Sequence, residues 1–180
     1  TAYATSVGGH ESIMLADGTR IELNTDTAIR IAETPSEREI WLEKGEAYFQ
    51  VVHNAARPLM VYADDRRVTD LGTKFTVRRD TGRLEVAVLE GRVNFAAPQD
   101  SHALLITAGE TMVATATSVS VTRKSDRDLA NDLGWRRGIV VFNDTPLSEA
   151  VREINRYNSR KIAIADPKVA NISLTATISI

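Results

Sequence analysis

Side chains able to do chemistry are sparse in this 180-residue chain. Histidine occurs only at His10, His53 and His102, and no two sit at the helical or loop spacing that holds a metal ion. Asp64-Asp65 is a carboxylate pair, but adjacent strand residues point to opposite faces, so it reads as a turn before Arg66-Arg67. No nucleophile elbow, phosphate loop or dinucleotide fingerprint is present. Cysteine is absent, which removes disulfides, thiolate catalysis and Cys-ligated zinc. The expectation is therefore no enzyme of the usual kinds, no metal and no cofactor.

The elements that would position any site are mostly strands. Arg20–Asn24, Thr27–Ile31, Glu39–Glu43, Lys74–Arg78 and Leu84–Val88 alternate polar and apolar residues, the period that buries one face of a strand. Asp17-Gly18, Lys44-Gly45, Leu71-Gly72, Thr81-Gly82, Glu90-Gly91 and Ala108-Gly109 supply turn signals about every ten residues. Lys44-Gly45, Glu90-Gly91 and Ala108-Gly109 each follow an apolar strand end, as equivalent turns of a coiled β structure would. Trp41, Tyr48, Phe49, Tyr62, Phe75 and Phe95 fall in the strands and read as core, with a sugar-binding aromatic platform as the rarer reading.

Character changes after residue 124. Ser125-Asp126-Arg127-Asp128 is charged and reads as a linker or a short helix start, within a linker over 125–137. Ile139–Phe142 is an apolar strand. Thr145 can cap a helix with Pro146 at its first position, and Leu147, Ala150, Val151, Ile154 and Tyr157 form its apolar stripe. Lys161–Ala165 and Asn171–Ile180 read as two further strands. The fold class is thus mainly β: a short-strand all-β roll or solenoid-like domain over 1–124 (a sandwich fits the same spacing), then a small α/β strand-helix-strand-strand subdomain over 138–180. One helix and three strands make a thin core, so its bare face needs a cover.

Charge narrows the partners. With 22 Lys+Arg against 24 Asp+Glu the chain carries −2, too little positive charge to track phosphates, so no nucleic acid is expected. Residues 1–132 carry 15 basic and 20 acidic groups and residues 133–180 carry 7 and 4, so the tail is the basic part. No apolar run reaches the ~20 residues of a membrane span.

Several segments together resemble the FecR family, transmembrane regulators of iron-uptake sigma factors. Leu15–Asn24 (LADGTRIELN) is similar to that family's L-x-D-G-[ST]-x-x-x-L-N opening, and Leu42–Val51 (LEKGEAYFQV) to its L-x-x-G-E-A-Y-F-x-V core. Arg57–Val61, Asp70–Val77, Val88–Val93 and Leu105–Glu110 continue the series in order. Two residues depart from the pattern: Leu59 stands where Phe is common, and Asp70 where an apolar residue is usual. Phe142–Tyr157 resembles the helix of the short domain shared by secretins and TonB-dependent receptors, of which only the first half is present.

The resemblance implies the periplasmic part of a single-pass inner-membrane anti-sigma regulator. Its partners would be the N-terminal signalling domain of a TonB-dependent siderophore receptor and, through a cytoplasmic segment outside this chain, a sigma factor. The docking surface expected on the tail comprises the strand edges at Ile139, Val141, Ile172, Leu174 and Ile178, rimmed by Arg152, Arg156 and Arg160. The incomplete subdomain could equally pair with a second copy, giving a homodimer. Some members of the family split their own chain at a Gly-Thr bond, which points to Gly72-Thr73, with Gly18-Thr19 the other such pair. The plainer role of Gly72 is a turn, with Thr73 pairing locally. The second functional reading is a carbohydrate-binding or envelope-structural β module with a docking tail.

Overall fold

The computed structural model describes residues 1–98 and 102–180. Among these the strands form two twisted antiparallel layers that share one long strand. The first layer contains β1 (Ala2–Ala4), β4 (Ala28–Glu33), the first part of β5 (Arg38–Gln50), β6 (Leu59–Ala63), β7 (Arg66–Asp70), β10 (Arg92–Ala96) and β11 (Leu104–Thr107). The second contains β2 (Glu11–Met14), β3 (Arg20–Leu23), the rest of β5, β8 (Lys74–Asp80), β9 (Arg83–Glu90), β12 (Glu110–Ala114) and β13 (Val119–Arg123). Only β5 and β6 pair in parallel among the described strands. The alternation read from the sequence sends Ile21, Leu23, Phe49, Phe75, Val77, Val86 and Val88 from one layer, and Ile29, Ile40, Leu42, Val61, Val68, Val93 and Phe95 from the other, into one apolar core.

Lys44-Gly45 is not a turn between strands. β5 runs through it and passes from one layer to the other, with Glu43 bulged out between the residues that pair with Ala28 and Ile29 of β4. Gly45 has φ +87°, and a Cβ there would lie 2.3 Å from Thr27 Oγ1, so both backbone and space require glycine. Trp41 and Tyr62 are half-buried rather than core, whereas Tyr48, Phe49, Phe75 and Phe95 are buried.

Arg38 is fully buried within this roll; its Nη1 donates to Asp17 Oδ2 at 2.6 Å, Thr19 Oγ1 at 3.2 Å and the Val52 carbonyl at 3.1 Å, and its Nε donates to the Arg57 carbonyl at 3.0 Å. One guanidinium thereby ties the 15–19 turn to the loop after β5.

The tail consists of α1 (Asp126–Asp132), a 3-10 turn (Gly134–Arg137), β14 (Ile139–Pro146), α2 (Leu147–Tyr157), a 3-10 turn (Pro167–Val169) and β15 (Ser173–Ser179). Of the two readings of Ser125–Asp128 the helix start is the one found: Ser125 caps α1, and Leu129 and Trp135 are buried. Two expectations change here. Lys161–Ala165 forms no strand, because the Asn155 side chain takes both backbone groups of Ile162 (Nδ2 to O 2.9 Å, N to Oδ1 2.7 Å) and holds the segment against the helix end. The subdomain is therefore strand-helix-strand. Thr145 does not cap α2, because β14 continues to Pro146; the helix's first N–H groups, on Leu147 and Ser148, donate to the carbonyls of Ile172 and Ala170 at 2.9 Å each.

The bare face of the tail is covered by the β domain. Trp135, Val140, Phe142, Ala150 and Tyr157 form a second core with Tyr48, and Leu89 packs against it. Polar bonds frame this joint. Arg136 forks onto Glu22 (2.7 and 2.9 Å) and lies 3.6 Å over the Tyr48 ring. Arg156 reaches Glu46 at 2.8 Å, Arg78 reaches Glu153 at 2.9 Å, and Asn24 Nδ2 donates to the Tyr157 hydroxyl at 2.8 Å.

Two predictions follow from these buried charges. Removing the carboxylate with Asp17→Ala leaves the buried Arg38 guanidinium without the carboxylate it donates to and should cost about 3–5 kcal/mol in urea unfolding; a cost below about 1 kcal/mol would show that the pair does not organise the roll. The hydrogen bonds from Arg136 hold the Glu22 carboxyl below its ordinary range against the opposing effect of burial. A lowered folded-state pKa means this contribution is present above the unfolded value and disappears as pH falls through the folded one. Acidification should therefore loosen the tail, read as a red shift of Trp135 fluorescence in a Trp41→Phe background; emission unchanged until the whole domain melts would contradict it.

Candidate functional site

The turn between β7 and β8 carries the Gly72-Thr73 bond. Gly72 has φ +99°, the left-handed region that glycine enters without steric penalty. Asp70, the last residue of β7, turns its carboxylate inward, where Oδ1 accepts the Gly72 N–H at 3.1 Å and also the Thr73 hydroxyl. Asp70 and Thr73 are both buried. The Thr73 carbonyl is anchored by the Val51 N–H at 3.0 Å. From the next turn Gly91 closes on the bond so tightly that a Cβ there would lie 2.0 Å from the Gly72 carbonyl oxygen. On the other side, a Cβ on Gly72 would meet His53 Nδ1 at 3.3 Å. Burial pushes the Asp70 carboxyl above its ordinary range, while the Gly72 N–H and the charges of Arg38 and His53 pull the other way. A hydroxyl, its adjacent carbonyl and a buried carboxylate are thus held together at a glycine in an unusual conformation. The other Gly-Thr pair differs: Thr19 Oγ1 accepts from Arg38 and from the Val52 N–H.

The residues expected to dock a partner are dispersed. β14 and β15 pair with each other, Ile139 opposite Ser179 and Phe142 opposite Ala176. The outer edge of β14 is approached by the 3-10 turn: a Cβ on Gly134 would lie 2.8 Å from the Ile139 carbonyl. Val141 is half-buried on the same strand. Leu174 and Ile178 face inward onto the second core, and Arg156 is committed to Glu46 and Glu153, so none of the three stands on an exposed rim. Ile172, Arg152 and Arg160 are exposed. No other strand among those described pairs with the outer edge of β15. The Ile180 N–H donates to the Gly138 carbonyl at 2.9 Å. Antiparallel alternation then turns the N–H and C=O of Thr177 and Ser179 away from β14.

Elsewhere on the described surface the charges and rings are largely engaged with one another. A cleft of about 690 Å³ lies between α2 and the β domain; Lys44–Asp26 and Arg79–Asp64 pair within its lining. Trp41 stacks on Tyr62 (5.6 Å between centroids) and has the Arg30 guanidinium 4.4 Å from its ring. Among the described residues no group of three or more His, Asp or Glu could hold a metal ion, and no helix is long and apolar enough to cross a membrane. Sequence reasoning did not find Glu22, Glu46 and Arg136, because nothing in a polar-apolar alternation distinguishes an outer face that water covers from one that a tail covers.

A crystal structure of a candidate anti-sigma factor from Parabacteroides distasonis matches this fold with a TM-score of 0.82 at 24% identity, over 99% of this chain and 84% of that one. A second crystal structure described in the same words gives 0.81 at the same identity and coverage. At that identity the likeness concerns the fold. No curated protein matches the chain. The family model described as FecR protein matches residues 1–94, which include the β7–β8 turn and the long bent strand. The chain belongs to the FecR family.

Proposed function

We propose that this chain is the periplasmic sensor region of a single-pass inner-membrane anti-sigma regulator. It receives its signal from the N-terminal signalling domain of a TonB-dependent siderophore receptor, and the sigma factor is bound by a cytoplasmic segment outside the chain. In this reading residues 1–124 are the FecR scaffold and 138–180 the receptor-facing unit. The observation that carries it is the open edge of β15, where unpaired backbone groups at Thr177 and Ser179 can accept an added strand. Exposed Ile172, Arg152 and Arg160 supply an apolar and a basic flank. A carbohydrate platform has weaker support, because the Trp41 ring is already engaged by Tyr62 and Arg30. A homodimer would use the same edge and competes with the receptor.

Calorimetry of the 180-residue chain against receptor signalling domains tests this. Thr177→Pro removes an outward N–H and leaves the β14–β15 bonds in place. It should weaken binding at least tenfold, about 1.4 kcal/mol. Wild-type affinity in the proline variant would move the site elsewhere.

The Gly72 turn favours a second activity, spontaneous scission of the Gly72-Thr73 bond. Thr73 Oγ1 attacks the Gly72 carbonyl carbon, the C–N bond breaks as the Thr73 nitrogen takes up a proton, and an ester joins the two parts. Water then opens the ester to a Gly72 carboxylate and a free Thr73 hydroxyl and amine. Mass spectrometry of purified protein should show pieces ending at Gly72 and beginning at Thr73, and hydroxylamine should speed their appearance by capturing the ester. A chain that stays whole for days at neutral pH would leave these residues with the turn alone.

A further inference from the structure

We propose that Asp70 is the proton acceptor that activates Thr73 for this scission; the inference rests on the self-cleavage reading above. Thr73 is a weak nucleophile while its hydroxyl keeps its proton, and a base in hydrogen-bond contact is the usual remedy. The structure supplies one such contact. The Thr73 hydroxyl donates to Asp70 Oδ1, and the same oxygen accepts the Gly72 N–H at 3.1 Å. The carboxylate therefore holds the residues on both sides of the bond at once.

In the first step the proton passes from Thr73 Oγ1 to Asp70 as the new C–O bond forms. The same proton is then available to the Thr73 nitrogen as the C–N bond breaks, so Asp70 ends the step ionised as it began. Two features favour Asp70 as a base over Asp70 as a mere turn former. It is buried, so water does not compete for its lone pairs. Burial raises its proton affinity. Gly91 packed on the Gly72 carbonyl limits that peptide's freedom to move away from the hydroxyl.

Asp70→Asn separates the two roles. A carboxamide oxygen still accepts the Gly72 N–H and preserves the turn, but it is hardly basic. The wild-type chain should split, and Asp70→Asn should split roughly 100-fold more slowly while melting within a few degrees of wild type. Asp70→Glu, which keeps a carboxylate, should recover part of the rate. If the asparagine variant splits as fast as wild type, Asp70 is not the base and self-cleavage stands without it. If wild type itself stays whole, the self-cleavage reading fails and takes this role with it.

The wild-type rate against pH decides the matter even if Asp70→Asn does not fold. It should climb as Asp70 ionises, with Arg38 and His53 the charged groups acting on that carboxylate. A rate independent of pH from about pH 4 to about pH 8 would overturn the base role.

Discussion

The tail cannot seal its own core, and much of the architecture depends on that constraint. Phe142, Ala150 and Tyr157 pack with Trp135 of the tail itself, but closing that small core also takes the outer face of the second layer. That face answers with Tyr48 and Leu89 at the centre and with Glu22, Glu46 and Arg78 around them. Each of these charges meets an opposite charge from the tail. Burial of ion pairs contributes little net energy, because desolvation offsets attraction, but it fixes which group meets which. The joint is therefore specific in register. Its charges can also return to water, so separation costs less than opening an apolar core of the same area would.

The same economy of contacts shapes the Gly72 turn. Arg38 anchors the loop that brings His53 beside Gly72, and β10 follows Gly91 and pairs with β7. Scission between β7 and β8 would not release two free pieces. The portion ending at Gly72 contains β5 and β7, which pair with β8 and β10 of the other portion. Ladder bonds and the shared apolar core would hold a nicked chain together, so a break here alters connectivity without dissolving the fold. The two candidate sites also lie on different surfaces: the turn belongs to the roll, whereas the open strand edge belongs to the tail.

Much of this was legible in the sequence. Strict alternation in Arg20–Asn24 and Lys74–Arg78 gave the inward faces, and the ordered FecR-like segments placed the turn at Gly72. The illegible parts have physical reasons. Gly45 looked like a turn because glycine serves a strand bend as well as a hairpin, and only the bulge at Glu43 beside it distinguishes them. Lys161–Ala165 has a strand pattern, but Asn155 satisfies its backbone first. A helix start at Ser125 was one reading of the sequence, but the burial of residues up to 137 was not legible because its partners lie far away in sequence: Arg136 on Glu22, and Trp135 beside His10. Arg156 read as a rim residue because its counter-charge, Glu46, sits in another domain. Asp70 showed only as a departure from pattern, and its contact with Thr73 supplies the meaning.

Hydrogen–deuterium exchange on the 180-residue chain, free and bound to a receptor signalling domain, tests the central claim most directly. The account predicts that the outward amides of Thr177 and Ser179 exchange quickly in the free chain and become protected in the complex, with amides along β13 unchanged. Protection confined to the β roll, with the β15 edge still exchanging at its free rate, would contradict it.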